Sequence, residues 1–385
     1  MRLLFIIKTY LIFIILLISS FNPRHINAGE IDIKGQVSGW VVINPDIATQ
    51  TGLRYIPDWL LGTVIDNYVV DSEISFNMYG TAQFFHTSDS IYTSHDLNDY
   101  RLWLRLSASQ YEVRIGLQKI NFGSAMLLRP LMWFDSIDPR DPLQLTDGVY
   151  GILGRYYFLN NTNIWLWALY GNDQIRGWEI FISDKNKPEY GVRLQLPLYT
   201  GEIAATYHHR YIDPVKSPLG QLSTSQTSVP ENRIGFDGKW DIEVGFWLEG
   251  VLIYRDLSND KFTYQRQTNV GLDYTFDIGN GLGAITEYFT MRISDKAFGA
   301  GQGISLTAFS LNYPIGVLDN LTGMVYYDWD NKNCFRFISW QRTYDNWRFY
   351  LMGFWNPDHY QLFQTGMENN LFVGKGLQLL VVFNH

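Results

Sequence analysis

Along most of the chain apolar and polar residues alternate one for one in segments of about ten, the period of a strand with two unlike faces. In "RLWLRLSAS" (101–109), Leu102, Leu104, Leu106 and Ala108 point one way and Arg101, Trp103, Arg105 and Ser107 the other. "EVRIGLQ" (112–118) repeats this, with Val113, Ile115 and Leu117 opposite Glu112, Arg114, Gly116 and Gln118. The alternation returns in "GVRLQL" (191–196), "RIGFDGKWDI" (233–242) and "VGLDYTF" (270–276), whereas "ITEYFTMRI" (285–293) does not divide into faces. Strands are predicted near 33–43, 52–61, 73–86, 98–109, 110–119, 148–158, 162–171, 188–196 and 201–210. Nine more fall near 232–240, 243–255, 263–276, 283–293, 303–314, 318–329, 333–343, 345–356 and 372–383. The count is about eighteen, with sixteen as the smaller alternative because the first two alternate least.

The connections sort by length. "NNTN" (160–163), "LYTGE" (198–202) and the hairpin-type "DIGNG" (277–281) are short, while 121–147, 171–188 and 211–231 are long. Brief turns on one side and long loops on the other are the habit of an up-and-down antiparallel barrel spanning a membrane. A soluble sandwich or propeller has no reason to alternate its turn lengths. The last strand ends "GLQLLVVFNH", with Leu377, Leu379, Val381 and Phe383 on one face, and resembles the terminal signal of outer-membrane barrels. Aromatic residues at strand ends (Trp40, Tyr156, Tyr157, Tyr254, Tyr326, Tyr327, Trp355) suit a membrane–water interface.

Composition agrees. The chain is 46% hydrophobic and 16% aromatic but only 18% charged, which excludes disorder. A mean hydropathy of −0.11 is too low for a bundle of membrane helices and fits strands with one apolar face. At the N-terminus Arg2 and Lys8 precede the apolar run "TYLIFIILLISS" (9–20), and Ala28 offers a cleavage point. Residues 1–28 are therefore expected to be an export signal and 29–385 the barrel. Removing 1–28 takes away Arg2, Lys8 and Arg24 and leaves 27 basic against 38 acidic residues, a net charge of −11. Nucleic acid is an unsuitable partner for that charge. The single cysteine, Cys334, provides no disulfide framework.

One segment breaks the rhythm. Residues 121–147 are far longer than a hairpin connection and join an apolar half, "AMLLRPLMWF" (125–134), to a polar half, "DSIDPRDPLQLTD" (135–147). A solvent-facing loop has no use for Leu127, Leu128, Leu131, Met132, Trp133 and Phe134. The segment is expected to fold into the lumen as a constriction, with Arg129, Asp135, Asp138, Arg140, Asp141 and Asp147 at the pore and Pro139 and Pro142 stiffening it. A surface loop over the barrel mouth is the alternative.

"RIGLQKINFGSAMLLRPLMWFDSIDPRDPLQLTDGVYGI" (114–152) resembles the G-x-Q…W-G…P…N-P-x-D-P region of large outer-membrane porin-like barrels, the alginate-export type among them. The matching positions are Gly116, Gln118, Gly123, Pro130, Asp138, Pro139, Asp141 and Pro142; Phe122 replaces the common Trp, and Ser136-Ile137 the usual Asn-Pro. The resemblance implies a pore-forming barrel and names no solute.

On the strands that alternate cleanly, Arg101, Arg105, Glu112, Arg114, Arg193, Arg233, Asp237 and Lys239 lie opposite the apolar face. A lipid-facing Arg near the midplane costs about 2–4 kcal/mol, so these residues are expected to line the lumen. They either set a field that selects solutes or pair with inward acids to stabilise the interior. His208 and His209 are adjacent on a strand and face opposite ways, which disfavours a shared metal. No G-x-S-x-G or H-E-x-x-H occurs, so no catalytic residue, metal or cofactor is expected.

The sequence thus implies a channel in the outer membrane of a Gram-negative-type bacterium, passing small hydrophilic, including charged, solutes. Its expected partners are outer-membrane lipid and lipopolysaccharide, the barrel-assembly machinery during insertion, and further copies of itself. An exporter of acidic polysaccharide, a barrel lipase or deacylase, and a plugged structural or adhesive barrel remain alternatives.

Overall fold

A computed structural model describes residues 29–385 apart from 87, 89, 218–225, 258–259 and 359–369; the expected export signal lies outside the described residues. Strand β1 (Glu30–Asn44) begins an antiparallel meander through β2 (Ala48–Ile65), β3 (Tyr68–Phe85), β4 (Ser90–Ser107) and β5 (Tyr111–Gln118). It continues with β6 (Val149–Tyr157) and β7 (Asn163–Leu169). The two-residue β8 (Ile182–Ser183) pairs with the end of β10 (Gly201–Asp213), so β7 pairs directly with β9 (Glu189–Leu198). Then come β11 (Val229–Ile242), β12 (Val244–Arg255), β13 (Tyr264–Phe276), β14 (Leu282–Ser294) and β15 (Gln302–Pro314). β16 (Asp319–Asp328), β17 (Asn333–Tyr344), β18 (Trp347–Trp355) and β19 (Lys375–Asn384) complete the chain. β19 closes on β1, from Gln36 opposite Asn384 to Ile43 opposite Leu377. Leaving β8 aside, the wall is a closed antiparallel barrel of eighteen strands. No helix among the described residues is long and apolar enough to cross a membrane; closure satisfies the backbone instead.

The two faces follow from alternation. In β12, Phe246, Leu248 and Tyr254 are exposed outward, while Trp247, Glu249, Val251, Ile253 and Arg255 are buried inward. The Trp247 indole lies over Gly271 on the next strand, where a Cβ would come within 2.2 Å of the ring. Outward apolar side chains recur on every side, among them Leu53, Ile152, Val192, Ile234, Leu272, Phe309, Ile338 and Leu379. Such a girdle matches a hydrocarbon layer.

β1 begins and β19 ends on one rim, where the connections are 66–67, 108–110, 158–162, 199–200, 243, 277–281, 315–318 and 345–346. The opposite rim carries 119–148, 170–188, 214–228 and 356–374, but also the short links 45–47, 86–89 and 329–332. β2, β3 and β4 run longer than the alternation suggests, because stretches such as "SIYTSHDLND" (90–99) are polar on both faces and carry no apolar stripe. β4 pairs with β5 only from Leu102 to Ser107, since the chain leaves the wall after Gln118. Two of the aromatic residues assigned to the interface sit inside: Tyr326 is fully buried, and Trp40 packs with Tyr350, Leu380 and Val382. Exposed Tyr156, Tyr157, Tyr274, Tyr344 and Trp347 mark the turn rim, and Tyr254, Trp329 and Trp355 the loop rim.

Candidate pore constriction

Segment 119–148 makes a circuit of the inner wall. Its first half is held by two strand carboxylates. Glu249 on β12 accepts the amides of Ser124, Ala125 (2.7 Å) and Leu131 (3.4 Å). Glu287 on β14 accepts those of Met126 (2.6 Å), Leu127 (3.1 Å) and Leu128 (2.6 Å). Asn269 on β13 donates to the Leu128 carbonyl (2.8 Å) and to Glu287 (3.0 Å). These inward side chains belong to the wall, so the segment that meets them lies within the barrel.

The apolar half then fills the interior. Leu127 and Leu128 pack with Phe289, Leu306, Tyr326, Phe335 and Phe337, and Phe122, Leu131, Trp133 and Phe134 pack with Leu153, Trp167, Val251 and Ile253. Leu128 is fully buried. Leu128→Ala is expected to destabilise the barrel by about 2–5 kcal/mol, read as a lower urea midpoint for loss of heat-modifiable migration.

The polar half turns back along the remaining wall. Leu143 packs against Tyr350 and Leu380 on β18 and β19, and Arg101 on β4 donates to the Thr146 carbonyl (2.9 Å). The six assigned constriction residues serve different ends. Arg129 and Asp135 form a buried pair (2.7 Å) inside the segment. Arg140 pairs with Asp138 (2.6 Å), its guanidinium 5.2 Å from the Phe337 ring centroid. Asp141 accepts the amides of Leu143 (3.0 Å) and Leu145 (3.2 Å), and burial pushes its carboxyl above the ordinary range. Asp147 is exposed and within electrostatic reach of Arg54 on β2.

A second loop also enters. The connection 170–188 sends Trp178 onto Phe289 (centroids 4.4 Å apart) and Glu179 to Arg233 (2.7 Å) and Arg210 (2.9 Å). Glu231 joins the same network through Arg210 (2.6 Å), Arg233 (2.7 Å) and Arg255 (2.5 Å), all buried. Arg193 pairs with Asp237 (2.6 Å), also buried. Of the residues assigned to the lumen, Arg193, Arg233 and Asp237 therefore point inward but are covered, and Lys239 lies over Trp247 (5.9 Å). His208 is sealed between Glu189 (3.2 Å) and the Trp167 indole (3.1 Å), while His209 bonds Asn232.

The opposite flank, β2 to β6, is more open. Arg105 pairs with Asp71, and Glu112 gathers Arg155 (3.0 Å), Arg114 (3.5 Å) and Arg105 (3.9 Å). Arg114 stacks on Trp103 (4.7 Å) and Arg155 on Trp165 (3.8 Å), and the Trp103 indole donates to Glu73. Arg105, Arg114 and Arg155 thus stand beside Asp71, Glu73 and Glu112 on indole platforms, and all three arginines remain partly accessible.

No family model and no curated protein matches the sequence. Solved structures do resemble the fold. OccK7 (OpdD) of Pseudomonas aeruginosa aligns over 93% of this chain and 98% of its own, with a TM-score of 0.55 and 10% identity. OccK5 (OpdH) of the same species aligns over 92% and 98%, with a TM-score of 0.54 and 12% identity. An anion-selective porin from Comamonas acidovorans aligns over 93% and 100%, with a TM-score of 0.50 and 10% identity. The fold is a porin-type barrel. Neither Glu249 nor Glu287, nor the inward path of 170–188, was foreseen from the sequence. The apolar "WEIFI" (178–182) inside that loop was the available signal.

Proposed function

We propose that the protein is an outer-membrane channel for passive passage of small hydrophilic solutes, narrowed by segment 119–148 and favouring anions. The carrying observation is the contact of that one segment with inward side chains of β12, β14, β17, β19 and β4 around the barrel. The girdle and paired aromatic rims support insertion in an outer membrane. The arginines at Glu112 support the anion preference, as does the fold shared with a porin that is itself anion-selective. No particular solute, and no alginate-export role, has an observation in its favour beyond the 114–152 resemblance.

Arg155→Gln tests the preference. Its removal leaves Glu112 with one cation fewer and opens the Trp165 face. In a salt gradient across a planar bilayer, the reversal potential is expected to move toward cation selectivity, with stable steps retained. An unmoved potential contradicts the assignment of selectivity to this flank.

A further inference from the structure

The outer face of the loop rim carries a feature the channel does not use. Arg336, Trp355 and Lys375 stand in one cross-strand row on β17, β18 and β19. Their neighbours Phe335, Phe337 and Phe354 are buried inward, and Leu377 is exposed outward, so the row faces away from the lumen. Beside it the missing side chain of Gly353 leaves a dent. A Cβ there would meet Ile338, Leu377 and Trp355 at 3.5, 3.6 and 3.7 Å. The dent opens into a groove of about 510 Å³ lined by Ile43, Pro45, Gly353, Trp355, Leu377 and Lys375.

An apolar groove in the lipid girdle beneath a tryptophan and two cations has a defined complement. Adjacent strands lie about 4.8 Å apart, so Arg336 and Lys375 stand about 10 Å from each other on either side of Trp355, and their long side chains can converge over it. Neither forms an ion pair among the described residues; Asp46 and Asp358 approach Gly374, one position beyond. Cations at the membrane surface attract anionic head groups, and an acyl chain gains from leaving no void in an apolar groove. We infer that this face is a binding site for a phosphorylated acyl lipid of the outer leaflet, its phosphate held by Arg336 and Lys375 and one chain lying in the Gly353 groove. The inference rests on the membrane-inserted barrel of the channel reading.

The test uses the full chain refolded in neutral detergent, with lipid A carrying both phosphates and dephosphorylated lipid A as probes. Native mass spectrometry is expected to show one phosphorylated lipid A retained per barrel, at least roughly tenfold more tightly than the dephosphorylated form. Arg336→Gln with Lys375→Gln is expected to abolish that difference. Gly353→Leu is expected to weaken retention of both forms. Equal retention of the two lipids, or by wild type and the double variant, overturns the site. So does a dimer lost in Gly353→Leu, which would make the groove a contact between copies. Heat-modifiable migration shows that each variant is folded. None of these residues touches the lumen, so a wild type that conducts without discriminating the lipids removes this site alone. A wild type that neither inserts nor conducts removes the channel reading beneath it.

Discussion

Glu287→Ala is expected to free segment 119–148 from the wall and raise both conductance and current noise. The carboxylate accepts three consecutive amides and a side-chain amide from Asn269 in a buried setting. Leaving buried donors unpaired costs about 1–3 kcal/mol each, so the loss reaches several kcal/mol. Leu127 and Leu128 would lose their registry against Phe289 and Phe335 with it. Glu287→Gln keeps a carbonyl acceptor but replaces the second oxygen with a donor, and an intermediate effect is expected. Single-channel recording and limited proteolysis within 119–148 read the result. A Glu287→Ala protein with wild-type conductance and an uncleaved segment would show that apolar packing alone holds the constriction.

The second large effect is expected at Glu231. This residue has no exposure and lies within ion-pair distance of Arg210, Arg233 and Arg255. Glu231→Ala leaves Arg210 and Arg233 with Glu179 and the nearby Glu189, and Arg255 with neutral acceptors such as Gln265. Breaking a buried pair by removing one partner costs about 3–5 kcal/mol. The variant is expected to lose much of its resistance to urea and to release loop 170–188, whose Glu179 depends on the same arginines. Unfolding followed by heat-modifiable migration checks the first effect, and proteolysis near Trp178 the second. An unchanged urea midpoint would mean that water enters and solvates the arginines.

The wall was legible because a lipid face demands alternation, and most of the strands that cross the girdle show it. What the alternation missed lies where that demand is absent. The outer parts of β2, β3 and β4 are polar on both faces, and their extent could not be read from periodicity. β14 resisted assignment to faces because its inward side carries Phe289 and Met291 to receive the inserted segment, while Thr286, Tyr288 and Thr290 occupy its other face. A strand that fails to alternate was in this case marking the docking place of the loop. The apolar half of 119–148 was readable as buried for the same reason that any leucine cluster is.

The charges were less legible. Direction follows from parity, and Arg193 and Arg233 are buried on the face of β9 and β11 opposite the exposed apolar residues. Accessibility depends on what covers them, and the covering groups, Phe122 for Arg193 and Glu179 for Arg233, come from loops distant in sequence. Likewise nothing distinguishes Glu249 or Glu287 from other inward polar residues until the segment they hold has been folded past them. Asp138, expected at the constriction, pairs with Arg140 two residues away. Asp147, the exposed carboxylate of the set, is the better reporter of the passage.

That makes the deciding measurement a current recorded through a barrel labelled at Asp147. The chain carries Asp147→Cys with Cys334→Ser, and single-channel conductance and reversal potential are measured in a planar bilayer before and after adding a charged thiol reagent. Stable steps are expected beforehand, a smaller step after labelling, and opposite shifts of reversal potential with cationic and anionic reagents. Correct insertion without conductance, or steps indifferent to a reagent shown to have reacted, would contradict a channel constricted by segment 119–148.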